Sequence, residues 1–431
     1  MNTFNQDDAS QPLPMSVLRA LSRKGREIEF PRRGILGQSA QARACQINAS
    51  IGIALDDVGG PMYLDGLDNK VDLPPSEVFP YASSFGKPEL RTRWLEMLRE
   101  KNPSLDGTPV STPVVTNALT HALSVAASLF IDPGDTLVLS DRFWGNYRLV
   151  FEHTYGAKFA HYETFEDGGY NVAGLGACMA QVEGDKVIVL LNFPNNPTGY
   201  TCTEAEADEI RDTLVRIAET GRTVVALIDD AYFGLVYEDG VMVESIFAKL
   251  ADAHPNVLAV KVDGATKEDF AWGFRVGFLT FGFAGATEQA LGVLEDKAAA
   301  TVRATISNAS HLAQSLLLGA YQNTDYGRWK AAAFNTLKAR YLKIREVLSH
   351  NPEYLETYTP LPCNSGYFMC VEPIGADAEV VRNCLLREFD VGLIATKGLL
   401  RIAFSSVPTA ALPELLSRVH AAVLQCRSAK T

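Results

Sequence analysis

The 431-residue sequence has no C-x-x-C pair, no H-E-x-x-H motif, and no stretch near the roughly 18 consecutive apolar residues of a membrane-spanning helix. Its seven cysteines (Cys45, Cys178, Cys202, Cys363, Cys370, Cys384 and Cys426) are scattered and odd in number. That excludes a disulfide framework and reads as reduced thiols in a cytoplasm. The seven histidines form no cluster with cysteine, so no zinc site is expected. Basic charge is also scarce. Lys and Arg total 39 against 51 Asp and Glu, a net charge of −12, and no basic run exceeds Arg32-Arg33. This balance argues against a nucleic-acid or anionic-membrane surface. The opening Met1–Met15 lacks the basic and apolar regions of a secretory signal. No internal repeat and no Gly/Ser- or Pro-rich linker is present. With 47% hydrophobic residues the chain can fill a large core, and its charge balance suits an enzyme of small molecules.

The middle of the chain alternates strands with helices. Thr136–Ser140, Lys186–Phe193, Thr223–Asp229, Val257–Val262 and Val276–Phe281 are short, apolar and β-branched, as buried strands are. Thr120–Ile131 reads as a helix. So does Glu204–Thr220, opened by a capping box at Thr203 and Glu206 and closed by Gly221. This alternation predicts an α/β fold with a mostly parallel central sheet between helices. Beyond it come a long helix over Tyr326–Leu348, strands at Tyr367–Glu372 and Leu399–Phe404, and helices at Ala378–Glu388 and Leu412–Gln425. These predict a smaller α+β domain built from residues 31–75 and 335–431, beside a large domain of 76–334 and an N-terminal arm of 1–30.

Three segments at strand ends carry chemistry. Asn192-Phe193-Pro194-Asn195-Asn196-Pro197-Thr198-Gly199 follows one buried strand, Asp229-Asp230-Ala231-Tyr232 follows the next, and Thr266-Lys267 precedes Arg275 by eight positions from the lysine. Each alone has a plain reading: a turn, a helix cap, a surface lysine. In this order they resemble the fold-type I pyridoxal-phosphate aminotransferases of class I/II, the aspartate aminotransferase superfamily. Asn48–Gly52 with Asp56–Pro61, Phe143-Trp144-Gly145-Asn146-Tyr147 and Arg401-Ile402-Ala403-Phe404 are similar to further segments of that family. The resemblance spans roughly residues 45 to 425.

The resemblance implies a role for each matching residue, and the residue types suit it. Lysine is the side chain that forms a Schiff base with pyridoxal 5′-phosphate, and burial frees its amine for proton transfer. Lys267 matches that position. Lys261, inside a predicted strand, reads as a packed or edge residue. Asp229 stands where the family places the carboxylate that keeps the pyridine nitrogen protonated. Asp230, pointing to the other side of the strand, reads as structural. Tyr232 and Asn196 would hydrogen-bond the ring's phenolic oxygen, and Trp144 would cover the ring face. The phosphate would be held by Arg275, by the amides of Leu119 and Thr120 at a helix start, and by Thr266. Ala118 stands where Gly or Ser is usual and Gly264 where Ser is usual, which predicts a cup with fewer hydroxyl donors.

Arg401 matches the arginine that clamps the substrate's α-carboxylate, and Gly52 would add a backbone contact. Tyr81 matches the tyrosine that reaches the neighbouring subunit's phosphate; its plain reading is a loop-packed ring. Arg303 stands where dicarboxylate-specific members reach across a dimer, with a helix-end interface arginine as the alternative. The implied protein is a cytoplasmic homodimer, free of nucleic acid and membrane. It would move the amino group of an L-amino acid, acidic or aromatic, to a 2-oxo acid such as 2-oxoglutarate. The rival on the same scaffold is a lyase catalysing β/γ-elimination or ring closure. A cofactor-binding regulator would need a DNA-binding module, for which the sequence shows no spare domain.

Overall fold

The computed structural model describes residues 34–67 and 73–428, with Leu21, Ser22 and Lys24; the rest of the expected arm lies outside the described residues. Seven strands form the central sheet: β1 (Val114–Asn117), β2 (Thr136–Ser140), β3 (Lys158–Tyr162), β4 (Lys186–Asn192), β5 (Thr223–Asp229), β6 (Val257–Asp263) and β7 (Val276–Gly282). Their spatial order is β1-β7-β6-β5-β4-β2-β3. Neighbours are parallel except at β7, which runs antiparallel to both β1 and β6.

Period-two alternation splits each buried strand between two cores. Val187, Val189 and Leu191 of β4 pack with Ala207, Ile210 and Leu214 on one face. Ile188 and Leu190 pack on the other with Ala122, Leu123 and Val302. With both faces covered, these strands read as continuous apolar runs, which is why they are legible in the sequence.

The principal helices are α1 (Ile35–Gln41), α2 (Pro88–Lys101), α3 (Ala118–Phe130), α4 (Glu204–Glu219), α5 (Glu288–Thr305), α6 (Tyr326–His350), α7 (Ala378–Glu388) and α8 (Leu412–Ser428). Both bonds of the α4 capping box are made. The Glu206 N–H donates to Thr203 Oγ1 at 3.2 Å, and the Thr203 N–H donates to Glu206 Oε2 at 2.7 Å.

Two central strands escape sequence reading. β1 is four residues long and runs straight into α3, so it shows no period of its own. β3 lies at the sheet edge and alternates little, with Lys158 and His161 exposed.

A second, antiparallel sheet holds β8 (Tyr358–Pro360), β9 (Met369–Pro373), β10 (Ile394–Thr396) and β11 (Leu399–Ile402) in the order β8-β9-β11-β10. Leu337, Tyr341 and Ile344 of α6, Leu385 of α7 and Leu415, Leu416 and Val419 of α8 share its core. The early segment Ile47–Asn48 joins this region by parallel pairing with Val391–Gly392. Among the described residues, no helix is long and apolar enough to cross a membrane.

Candidate active site

The carboxyl ends of β1, β2, β4, β5 and β6 and the start of β7 meet along one edge of the sheet, where α/β folds place ligands. A cavity of about 540 Å³ opens there. Eleven of the thirteen residues expected from the sequence line it: Gly52, Leu119, Thr120, Trp144, Asn196, Asp229, Tyr232, Thr266, Lys267, Arg275 and Arg401. Tyr81 and Arg303 do not. Tyr81 is 91% exposed, and Arg303 at the end of α5 donates to Ser307 Oγ at 2.6 Å.

Lys267 sits in the short helix Ala265–Glu268, directly after β6. Its Nζ donates to the Gly52 carbonyl at 2.6 Å and lies 5.3 Å from the centre of the Tyr232 ring. The Tyr367 hydroxyl donates to the Lys267 carbonyl at 3.1 Å and fixes the backbone beneath it. Burial, reinforced by the charges of Arg401 and Arg275, lowers the amine's pKa from 10.5 to about 7. Gly52, expected to touch substrate, is thus also the amine's acceptor.

Asp229 ends β5 and is buried. Desolvation lifts its pKa to about 6, against the opposing hydrogen bonds of the Tyr147 hydroxyl (2.5 Å) and the Ala231 N–H (3.0 Å). Tyr147 was not among the expected residues. The signal was its spacing: three residues after Trp144, one helical turn on, its ring lies edge-on to the indole with centroids 5.5 Å apart. The strand alternation sends Asp230 the other way, where its carboxylate accepts from Lys261 and from Ser245 Oγ (2.5 Å). Lys261 is packed in an interior strand between Asp230 and Asp263, and these carboxylates raise its pKa despite burial.

Helix α3 starts at the cavity with Ala118 at φ +63°, and Asn117 provides no side-chain cap. Its first amides, including those of Leu119 and Thr120, point out of the helix without intrahelical partners. Thr266 Oγ1 is buried with no hydrogen-bond partner among the described residues, and Arg275, in the left-handed region at φ +57°, lines the same end. The missing serine at position 264 has a steric cause. A Cβ on Gly264 would lie 2.7 Å from Gly277 Cα and from the Val276 carbonyl oxygen. A Cβ on Gly277 would lie 2.6 Å from the Ala118 carbonyl carbon. The two glycines let α3 close down on β6 and β7, so the cup is narrowed by backbone at the position where a hydroxyl is usual.

At the opposite end, Arg401 of β11 is buried. Its Nη1 donates to Asn196 Oδ1 and its Nη2 to the Ser50 carbonyl, both at 3.3 Å, and its guanidinium lies 4.2 Å from the Phe368 ring centre. Its Nε has no hydrogen-bond partner among the described residues. Asn196 is set by its own N–H donating to Asn192 Oδ1 at 2.8 Å, while Asn192 Nδ2 donates to the Asp229 carbonyl at 2.8 Å. Burial raises the pKa of Tyr232, whose hydroxyl makes no hydrogen bond among the described residues.

A family model described as aminotransferase class I and II matches residues 70–419. Aspartate aminotransferase of Sulfolobus acidocaldarius is 25% identical over 202 residues, 46% of this chain and 47% of that protein. Histidinol-phosphate aminotransferase of Staphylococcus aureus is 27% identical over 166 residues, 37% of this chain and 40% of that protein. The chain thus matches about half or less of the length of these curated relatives. Among solved structures, an aminotransferase from Anaerococcus prevotii superposes with a TM-score of 0.83 at 23% identity, covering 95% of this chain and 99% of that one. The fold is that of fold type I.

Proposed function

Because this chain belongs to the class I and II aminotransferase family, we propose that it moves the amino group of an L-amino acid to a 2-oxo acid, using pyridoxal phosphate bound at Lys267. The observation that carries this reading is the gathering in one cavity of the Lys267 amine, the buried Asp229 carboxylate and the guanidinium groups of Arg275 and Arg401, surroundings in which desolvation and the two arginine charges lower the lysine's pKa.

The donor set fits the cofactor. Arg275, the α3 amides of Leu119 and Thr120 and the unpartnered Thr266 hydroxyl suit its phosphate. Asp229, held by Tyr147 and Ala231, suits the ring nitrogen; Tyr232 and Asn196 suit the phenolic oxygen; Trp144 covers the ring face. When bound, pyridoxal phosphate supplies an aldehyde that carries the amino group and a ring that stores the electron pair left at the substrate's Cα. In this reading Arg401 clamps the α-carboxylate, with the Gly52 backbone beside it. That clamp orients the Cα–H toward Lys267, whose neutral Nζ removes the proton. Asp229 keeps its partner nitrogen protonated, and Trp144 and Phe368 exclude water.

Tyr81 acts in this proposal in the phosphate cup of a second chain, and Arg303 holds the interface between the two. Ser84 Oγ donates to the Ser307 carbonyl at 2.8 Å, which ties together the segments that carry these two exposed residues. We also propose that residues 31–75 and 335–431, of which 31–33, 68–72 and 429–431 lie outside the described residues, behave as one unit, a reading supported by the pairing of Ile47–Asn48 with Val391–Gly392. A cytoplasmic setting is supported by seven cysteines that are all free thiols.

The test is a screen of amino donors against cofactor-loaded protein, following absorbance and 2-oxo acid. Conversion of the cofactor to pyridoxamine phosphate with release of the 2-oxo acid is expected. Release of ammonia with retention of the aldehyde form would replace this reading by the lyase.

A further inference from the structure

We infer that Lys101 and Lys330 are positioning residues for Lys267: from two separate helices they bind the buried carboxylates of Glu268 and Asp269, and so hold the turn that carries the lysine in place with no net charge behind it. The inference rests on the reading of Lys267 as the cofactor's lysine.

Three charged side chains follow one another at residues 267–269, and the chain sends the first two different ways. Lys267 lines the active-site cavity, whereas Glu268 lines a second cavity of about 350 Å³ together with Lys330 and the rings of Phe233, Phe270 and Phe334. Glu268 and Asp269 are both buried. Two buried carboxylates in succession demand partners, because desolvation alone would drive them neutral. Glu268 Oε1 accepts from Lys101 Nζ at the end of α2 (2.7 Å) and from Lys330 Nζ early in α6. Its other oxygen makes no hydrogen bond among the described residues. Asp269 accepts from the hydroxyls of Tyr321 (2.8 Å) and Tyr326 (2.7 Å), and its Oδ1 lies 3.5 Å from Lys330 Nζ. Desolvation works to raise the pKa of Glu268, but the charges and hydrogen bonds of Lys101 and Lys330 hold it down to about 2.

This grip fixes geometry first. Directly after the pair, buried Phe270 takes φ +56°, a left-handed conformation that a bulky side chain holds only under constraint. The chain turns there, and the Phe270 N–H donates back to the Lys267 carbonyl at 3.4 Å. With α2 and α6 holding residues 268 and 269, the turn cannot relax without breaking ion pairs to buried carboxylates.

Charge points the same way. Lys101 and Lys330 set two positive charges against the two carboxylates. On the cavity side, desolvation together with Arg401, Arg275 and Asp229 governs the ionisation of Lys267. An unbalanced carboxylate one residue away would favour the ammonium form and delay loss of the proton. The remaining charged neighbours are already paired. Arg93 of α2 is taken by Glu96 and Glu100, and Lys261, which shares the Phe233 ring with Lys101, is held by Asp230 and Asp263.

The test follows the ionisation of Lys267 in the full cofactor-free chain, by competitive labelling with acetic anhydride across pH and peptide mapping. Lys330→Met is expected to raise the midpoint on the order of one pH unit, which cuts the Lys267 labelling rate near pH 6 about tenfold. Glu268→Gln leaves the lysines in excess and should lower the midpoint by a similar amount. Lys330→Arg, and the double variant in which charge is balanced again, should both return it close to wild type. A merely structural role does not produce this pattern of signs. Shifts in one direction for both single variants, or no shift in either, would overturn the inference. If Lys330→Met does not fold, Glu268→Gln and the balanced double variant decide the point. The pH profile of donor turnover in loaded protein should move in the same directions. Turnover with profile and labelling indifferent to these variants would remove this inference alone. Opposed labelling shifts in a protein that converts no donor would remove the aminotransferase reading alone.

Discussion

Lys261 and Lys267 lie six residues apart, and their surroundings drive them to opposite protonation states. Lys261 is held between Asp230 and Asp263 and keeps its proton, whereas Lys267, among the described residues, has only a carbonyl within bonding distance and loses its proton near pH 7. The sign of the consequence follows by linkage. Between about pH 7 and 10 the unfolded chain holds a proton on this lysine that the folded chain has released, so the contribution of Lys267 to stability rises with pH. In ligand-free protein, Lys267→Met should therefore stabilise the fold most near pH 6 and least near pH 9. Denaturant melts at the two values check this, and an equal gain at both would contradict the lowered pKa. Asp229→Ala should retain the cofactor yet lose turnover, whereas Arg275→Ala should lose the cofactor on dialysis. Tyr147→Phe removes one of the bonds that restrain the Asp229 pKa. It should move the acid limb of the pH–rate profile upward and slow turnover by up to about 1.5–3 kcal/mol of barrier. Lys267, Asp229 and Arg401 were legible in the sequence because their chemistry dictates residue type. Tyr147 was not, because a tyrosine near Trp144 fits a core as well as a network, and its partner lies 82 residues away.

At the scale of elements, the start of α3 depends on two residues with no side chain. The sequence registers Gly264 as a missing hydroxyl; the packing against Gly277 and Val276 shows why no Cβ can stand there. Gly277→Ala should push the first turn of α3 outward, cost about 1–3 kcal/mol of stability, and weaken cofactor retention. Thermal melts and equilibrium dialysis measure the two effects, and a variant that keeps both would contradict the backbone-built cup. The strands that carry the site were legible because both faces are covered, which leaves runs of β-branched residues. β1 and β3 were not: the first is too short to show a period, and the second lies at an edge where polar residues are tolerated. The face of α1 toward the cavity was also silent, since about two turns of helix show their orientation only against the wall they close.

On the scale of the whole molecule, two of the thirteen expected site residues remain on the surface of a chain whose cavity gathers the other eleven. Tyr81 is 91% exposed, and Phe79 beside it is 82% exposed, in a segment that touches the residues following α5. A second chain seated on this face would cover both rings, and sedimentation should give twice the mass of 46.9 kDa. Two events define the proposed chemistry: Lys267 carries the cofactor, and the amino group leaves with it. Borohydride reduction of the loaded protein, before and after excess amino donor without 2-oxo acid, followed by peptide mapping, tests both together. The expected result is a pyridoxyl label on Lys267 before the donor and its loss afterwards, when the cofactor has become the amine. A label on Lys261 or elsewhere, or a Lys267 label that survives every donor, would contradict that chemistry.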